Sequence, residues 1–120
     1  MINKRSIGNA YEEQTVAFLK SKGIQILDRN FYTKFGEIDI VAKEENYLCF
    51  VEVKYRKNAY AGDPLESVTL MKQKKISNSA RYYLLTHPRY QGLQIRFDVV
   101  AILGDEVNFV RNAFSYMGAQ

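Results

Sequence analysis

GEIDIVAKEENYLCFVEVKYR, residues Gly36 to Arg56, reads as two strands joined by a tight turn. Between Glu37 and Lys43, Ile38, Ile40 and Ala42 share one face, and Glu37, Asp39 and Val41 share the other. Between Tyr47 and Arg56, Leu48, Phe50, Glu52, Lys54 and Arg56 lie on one face, with Tyr47, Cys49, Val51, Val53 and Tyr55 opposite. A two-residue turn at Glu45-Asn46 predicts the pairs Lys43–Leu48, Val41–Phe50, Asp39–Glu52 and Glu37–Lys54. Directly opposed residues have Cβ atoms about 4.5–5.5 Å apart. Asp39 and Glu52 are then neighbours, with Lys54 beside them.

Like charges opposed in this way destabilise a sheet pair. The face is apolar near the turn, at Val41, Leu48 and Phe50, and charged at its far end. An exposed Glu-x-Lys on a strand is common and by itself means nothing. Asp39 in register with it changes the reading, because hard divalent cations take paired carboxylates and a nearby lysine can orient or activate a water. A one-residue slip would separate the two carboxylates, so the register carries the argument.

The rest of the chain sets bounds. It has 120 residues, 47% apolar and 25% charged, which suits one globular domain with a single core. No apolar run reaches membrane-spanning length, and MINKRSIGNAYEE has no signal-peptide core. The lone cysteine, Cys49, falls inside a strand and reads as a buried thiol, without a disulfide framework. These features fit a cytoplasmic protein with no membrane partner. The net charge of +4 and pI near 9.2 permit a polyanionic partner.

Around the hairpin, Ser6 is a candidate cap for a helix to about Lys22, with Gly23 as its stop. Tyr11, Thr15, Phe18, Leu19 and Lys22 form its stripe, bordered by Glu12. Ile24 to Asn30 reads as a strand, and Phe31 to Phe35 as a link into the hairpin. Lys57 to Gly62 reads as a loop. Asp63-Pro64-Leu65-Glu66 starts a second helix to about Thr86, with Leu65, Val68, Lys72, Ile76, Ala80, Tyr83 and Leu84 as its stripe. Gln94 to Leu103 is a strand, and Glu106 to Arg111 another. The tail from about residue 112 carries no signal and is expected to be flexible. The order helix, three strands, helix, two strands predicts an α/β fold with a mixed sheet and a helix on each side.

Asp39, twelve residues, then Glu52-Val53-Lys54 resembles the PD-(D/E)xK, or restriction-endonuclease-like, superfamily. The match is closer to its YraN-like branch, small uncharacterised bacterial proteins predicted to be endonucleases. Gly8, Glu12, Leu19, Gly23, Ile26-Leu27, Asn30, Gly36-Glu37-Ile38-Asp39, Phe50 to Lys54, Arg56, Gly62, Val68, Lys72 and Arg96 to Val100 carry it, over nearly the whole chain. Tyr11 departs from it, standing where the family commonly has glycine.

The resemblance implies a single nuclease-like domain over residues 1–120 that hydrolyses DNA phosphodiester bonds. Its substrate could be branched or single-stranded DNA, in recombination, repair or DNA processing. The implied cofactor is Mg2+, with Mn2+ able to substitute. Asp39 and Glu52, with the Val53 carbonyl, would hold the metal, and Lys54 would position the attacking water. Glu12 matches a helix glutamate that joins the site in the Holliday-junction-resolvase branch; read alone, it is a solvated neighbour of Glu13. Glu37 is either a further ligand or a salt-bridge partner of Lys54. Lys34, Arg56, Lys57 and Lys72 are candidate backbone-phosphate contacts, Lys72 equally a lysine packing its stem on the core. Lys74 and Lys75 read as solvated. Asp98 with Arg96 reads as a buried ion pair, and His87 as structural. Tyr55 and Tyr60 flank the site and are the tyrosines best placed to stack on bases. Cleavage of branched DNA would favour a homodimer. The rival readings are a nucleic-acid-binding module that does not cleave, and a protein-interaction scaffold.

Overall fold

The computed structural model describes residues 4–58 and 62–117. Five strands form one sheet: β1 (Gln25–Thr33), β2 (Gly36–Glu44), β3 (Tyr47–Arg56), β4 (Gln94–Leu103) and β5 (Glu106–Phe114), in the order β1-β2-β3-β4-β5. Helix α1 (Lys4–Ser21) precedes the sheet, and α2 (Leu70–Thr86) carries the crossover between β3 and β4. That pair is parallel and every other pair antiparallel, as a connection of helix length requires. The α-β-β-β-α-β-β order and the mixed sheet flanked by helices are those of the restriction-endonuclease-like fold.

The helices cover opposite faces. Val16 and Leu19 of α1 pack with Ile40, Ala42, Cys49, Val51 and Val53, whereas Ile76, Ala80 and Tyr83 of α2 pack with Ile38, Val41, Leu48 and Phe50. Leu19, Ile24 and Gly23 also end α1. Gly23 takes φ +81°, and Ile24 donates its N–H back to the Leu19 carbonyl at 3.1 Å, the glycine-dependent helix stop. The described helix, Lys4–Ser21, already contains Ser6, which is therefore not its cap. Nothing in Lys4-Arg5-Ser6 interrupts a helix.

Three further expectations are corrected. Phe31 to Thr33 are not a link but the end of β1, paired as far as Thr33 with Gly36; aromatic and β-branched residues favour the strand. The second helix does not run unbroken from Asp63. Asp63 accepts the Leu65 N–H at 3.0 Å and caps a single 3-10 turn, Pro64–Ser67. The chain then extends through Val68 and Thr69, and Thr69 Oγ1 caps α2. Lys72 falls in the first turn of this restarted helix and is exposed. The tail is placed as well. Residues 112–114 continue β5, and the Met117 N–H donates to Ser77 Oγ at 3.0 Å.

The Arg96–Asp98 pair is buried as expected. Arg96 Nε and Nη2 both reach Asp98, and Nη2 also reaches Glu44 at 2.7 Å. Arg111 grips the same Glu44, and the two arginines hold its carboxyl down at about 2 against the opposing effect of burial. His87 is structural too, its ring stacked on Tyr83 at 3.9 Å. Asp98→Ala removes the buried partner of the Arg96 guanidinium, leaving it Glu44 alone, and should cost about 3–5 kcal/mol in urea unfolding. Arg111→Ala removes a half-exposed partner and should cost less than about 1 kcal/mol. Equal costs would show that burial does not set the strength of this network.

Candidate functional site

The hairpin register is the expected one near its turn, with Lys43 opposite Leu48 and Val41 opposite Phe50. The ladder ends at Ile40–Val51. Beyond it, β3 stays paired with β4 from Glu52 to Arg56, and β2 stays paired with β1 at Ile38, Glu37 and Gly36. The two strands thus leave each other where Asp39 and Glu52 would have been opposed. Asp39 Oδ2 instead accepts the Val53 N–H at 2.8 Å, so a carboxylate fills the ladder position. Val53 reaches the site through that amide.

Alternation also breaks here. Ile38 packs with α2, whereas Ile40 packs with α1, although strict period two would place both on one face. Val41, Leu48 and Phe50 belong to the α2 core and do not extend an acidic face. On the neighbouring strand, Asn30 takes φ +52°. Asparagine tolerates this left-handed backbone better than most residues. Its amide Nδ2 donates to Glu12 Oε1 at 2.7 Å and to Glu37 Oε1 at 2.8 Å. One side chain thereby draws a carboxylate from α1 to a carboxylate from β2.

Glu12, Glu37 and Asp39 consequently each offer an oxygen within 4.8 Å of the other two. A polar cavity of about 320 Å³ opens on Glu12, Asn30, Tyr32 and Glu37, with Gly8 and Asn9 of α1 on its wall. Glu52 lies outside this triad. Its Oε1 is 3.1 Å from Lys54 Nζ, and both side chains are largely buried. The expected Glu37–Lys54 salt bridge is therefore not formed, because Asn30 holds Glu37 and Glu52 holds Lys54. Burial foremost, then the Glu52 charge, push the Asp39 carboxyl up to about 8. The Val53 hydrogen bond opposes this shift, and Glu12 and Glu37 add to it. Carboxylate oxygens gathered at this density are the donor set of a hard divalent cation, so the residues fit magnesium.

The expected basic contacts do not converge as one group. Arg56 is half-buried, with Nη1 donating to the Tyr55 carbonyl at 2.8 Å. With Lys57 it borders a cavity that includes Tyr11 and Tyr55, whose rings stack at 4.2 Å. Lys34 lies at the β1–β2 turn, its Nζ 5.3 Å from the Phe35 ring centroid. Lys72 is exposed on the first turn of α2, as Lys74 and Lys75 are on its next. Tyr60 lies outside the described residues. Burial drives the Cys49 thiol up to about 12, consistent with an inert core residue. The residue that sequence reasoning underrated is Asn30, whose one signal was a turn-forming residue inside a β-prone run.

A restriction-endonuclease-like fold with carboxylates gathered at an opened strand pair is the class these features define. The chain belongs to the uncharacterised protein family UPF0102, the YraN-like family, whose model matches residues 11–102. It is 45% identical to a UPF0102 protein of Lachnoclostridium phytofermentans, covering 98% of this chain and 100% of that one. UPF0102 proteins of Vibrio parahaemolyticus and Fusobacterium nucleatum are 40% and 43% identical, over 96% and 92% of this chain and 97% and 92% of theirs. No described helix is long and apolar enough to cross a membrane.

A carboxyl raised on folding keeps its proton better in the folded than in the unfolded chain. The stability it contributes is complete below the ordinary value of 3.8 and is lost as pH climbs through about 8. In chelator, Asp39→Asn should therefore be more stable than wild type at pH 8, while the two converge near pH 4. The amide oxygen still accepts the Val53 N–H. Urea unfolding across that range is the measurement; a variant that is less stable at pH 8 would remove charge crowding from the account.

Proposed function

We propose that this protein is a magnesium-dependent endonuclease hydrolysing DNA phosphodiester bonds. The observation that carries this reading is the convergence of Glu12, Glu37 and Asp39 beside the Glu52–Lys54 pair. The three carboxylates come from two separate elements, α1 and β2, and sit together despite their repulsion. A module that only held a polyanion would gain nothing from acids gathered there. A scaffold would have no use for a buried carboxyl pushed up to about 8.

Asp39, Glu37 and Glu12 are the residues to hold the ion, with Glu52 adjacent to Asp39. Magnesium bound there supplies Lewis acidity toward the phosphate and a water of lowered pKa. Lys54 brings a cation next to Glu52, whose charge acts on Asp39. Its ammonium is fixed by Glu52, so it can orient a water and offset charge building on the phosphate without rearranging. Asn30 keeps Glu12 and Glu37 in place while the site is uncharged by metal. Manganese, another oxygen-seeking ion, would serve as well. Lys34, Arg56, Lys57 and Lys72 would hold phosphates away from the reacting one, which gives affinity without base readout.

Two expectations test this. Asp39→Ala, Glu52→Ala, Lys54→Ala and Glu12→Ala should each abolish metal-dependent cleavage in a panel of duplex, single-stranded and branched DNA, with circular dichroism unchanged. Full activity in the Asp39, Glu52 or Lys54 variant would sink the assignment. Magnesium at ten times its dissociation constant should stabilise wild type by about 1.4 kcal/mol, and Asp39→Asn by far less. Equal stabilisation of both would place the ion elsewhere.

A further inference from the structure

On the far side of the β1–β2 turn from the acidic cavity lies a second cavity, of about 340 Å³. Phe35, Tyr82 and Leu85 supply its apolar lining, and Lys34, Lys74 and Arg81 supply its charge. Phe35, Tyr82 and Leu85 are 36%, 46% and 66% exposed, so aromatic and aliphatic surface faces solvent beside three cations. None of the three cations forms a salt bridge with a described carboxylate. By contrast, Arg29, Arg96 and Arg111 are each paired with an acid. Three cations without an acidic partner thus stand around exposed rings.

The two cavities share one hairpin. Tyr32 and Glu37 border the acidic one, and Lys34 and Phe35, between them in sequence, border this one. Phe35 and Glu37 are two residues apart, about 7 Å along an extended chain. The two cavities thus border the same turn. The hairpin is also anchored to α2, because Thr33 Oγ1 and Ser79 Oγ are 2.9 Å apart. The turn bearing Lys34 and Phe35 faces Asn78, Arg81 and Tyr82 across the groove.

We propose that this groove binds an unpaired DNA strand, stacking its bases on Phe35 and Tyr82 while Lys34, Lys74 and Arg81 contact its phosphates. The inference rests on the nuclease reading and gives that site its substrate class. The chemistry separates a single strand from a duplex. Every unpaired base offers a π-face to an aromatic ring, whereas the bases of a duplex are already stacked on each other and present mainly phosphates to a basic surface. Three lysine and arginine side chains without apolar surface between them would fit either form. A cavity lined by two rings and a leucine fits only a base that has left its stack. The site would thus act where strands are already open, as at a flap, a gap or a branch point.

Fluorescence anisotropy of labelled oligothymidine and of a blunt duplex of the same length, in chelator, tests this without cleavage. Phe35→Ala and Tyr82→Ala should each weaken single-strand binding roughly tenfold and change duplex binding by less than about twofold. Arg81→Ala should weaken binding to both forms and lower the salt slope by about one. Circular dichroism and sedimentation accompany each variant. The proposal fails if the aromatic variants bind the single strand as wild type does, or lose both forms equally. It also fails if they change only the oligomeric state, which would make the patch a contact between copies. Binding that persists in a protein that never cleaves would remove the nuclease reading alone, and cleavage with inert groove variants would remove the groove alone.

Discussion

The hydrogen bond from the Val53 N–H to the Asp39 carboxylate is the constraint on which the site depends. It replaces a ladder bond with a side-chain bond at the point where β2 and β3 part. Each strand keeps its outer partner, so the sheet remains continuous while a gap opens within it. A buried backbone donor needs an acceptor, and Asp39 supplies one. Its carboxyl is thereby fixed among other acids, and the cost appears in a carboxyl pushed up to about 8.

The two ends of β2 contrast. At the end near the hairpin turn, Glu44 is gripped by Arg96 and Arg111, and Arg96 also holds the buried Asp98. Every acid of that network has a guanidinium. At the other end, Glu12 and Glu37 share, among the described residues, only the amide of Asn30, a neutral donor. One end of the strand is electrostatically closed and the other is left short of positive charge. Stability explains the first arrangement. The second suits the proposed cation, with Lys54 and Glu52 standing beside it as a pair.

Much of the fold was readable because its signals were local. The turn at Glu45-Asn46 and the alternation of β3 fixed the register as far as Ile40–Val51. Gly23 ended α1 where its backbone demanded glycine. The errors came where two local signals competed. Asp63-Pro64 is a sound helix start, yet Val68 and Thr69 break the run and Thr69 begins it anew. Lys72, expected on the buried stripe, is exposed in the first turn of the restarted helix. The expected link from Phe31 to Phe35 is shorter than its sequence suggests, because β1 passes through Asn30 and runs to Thr33.

The sequence by itself determined the element order, the crossover, the hairpin register near its turn, and which residue types carry the site. Those follow from short-range periodicity and turn chemistry. It did not determine how the carboxylates meet. Period two placed Asp39 beside Glu52 and Glu37 beside Lys54, and repulsion between like charges made that pairing unfavourable. Only the folded chain resolves the conflict, by parting the strands, turning Asn30 into a left-handed conformation and bringing Glu12 across from α1. These contacts join residues 18 and 14 positions apart, beyond the reach of any local pattern.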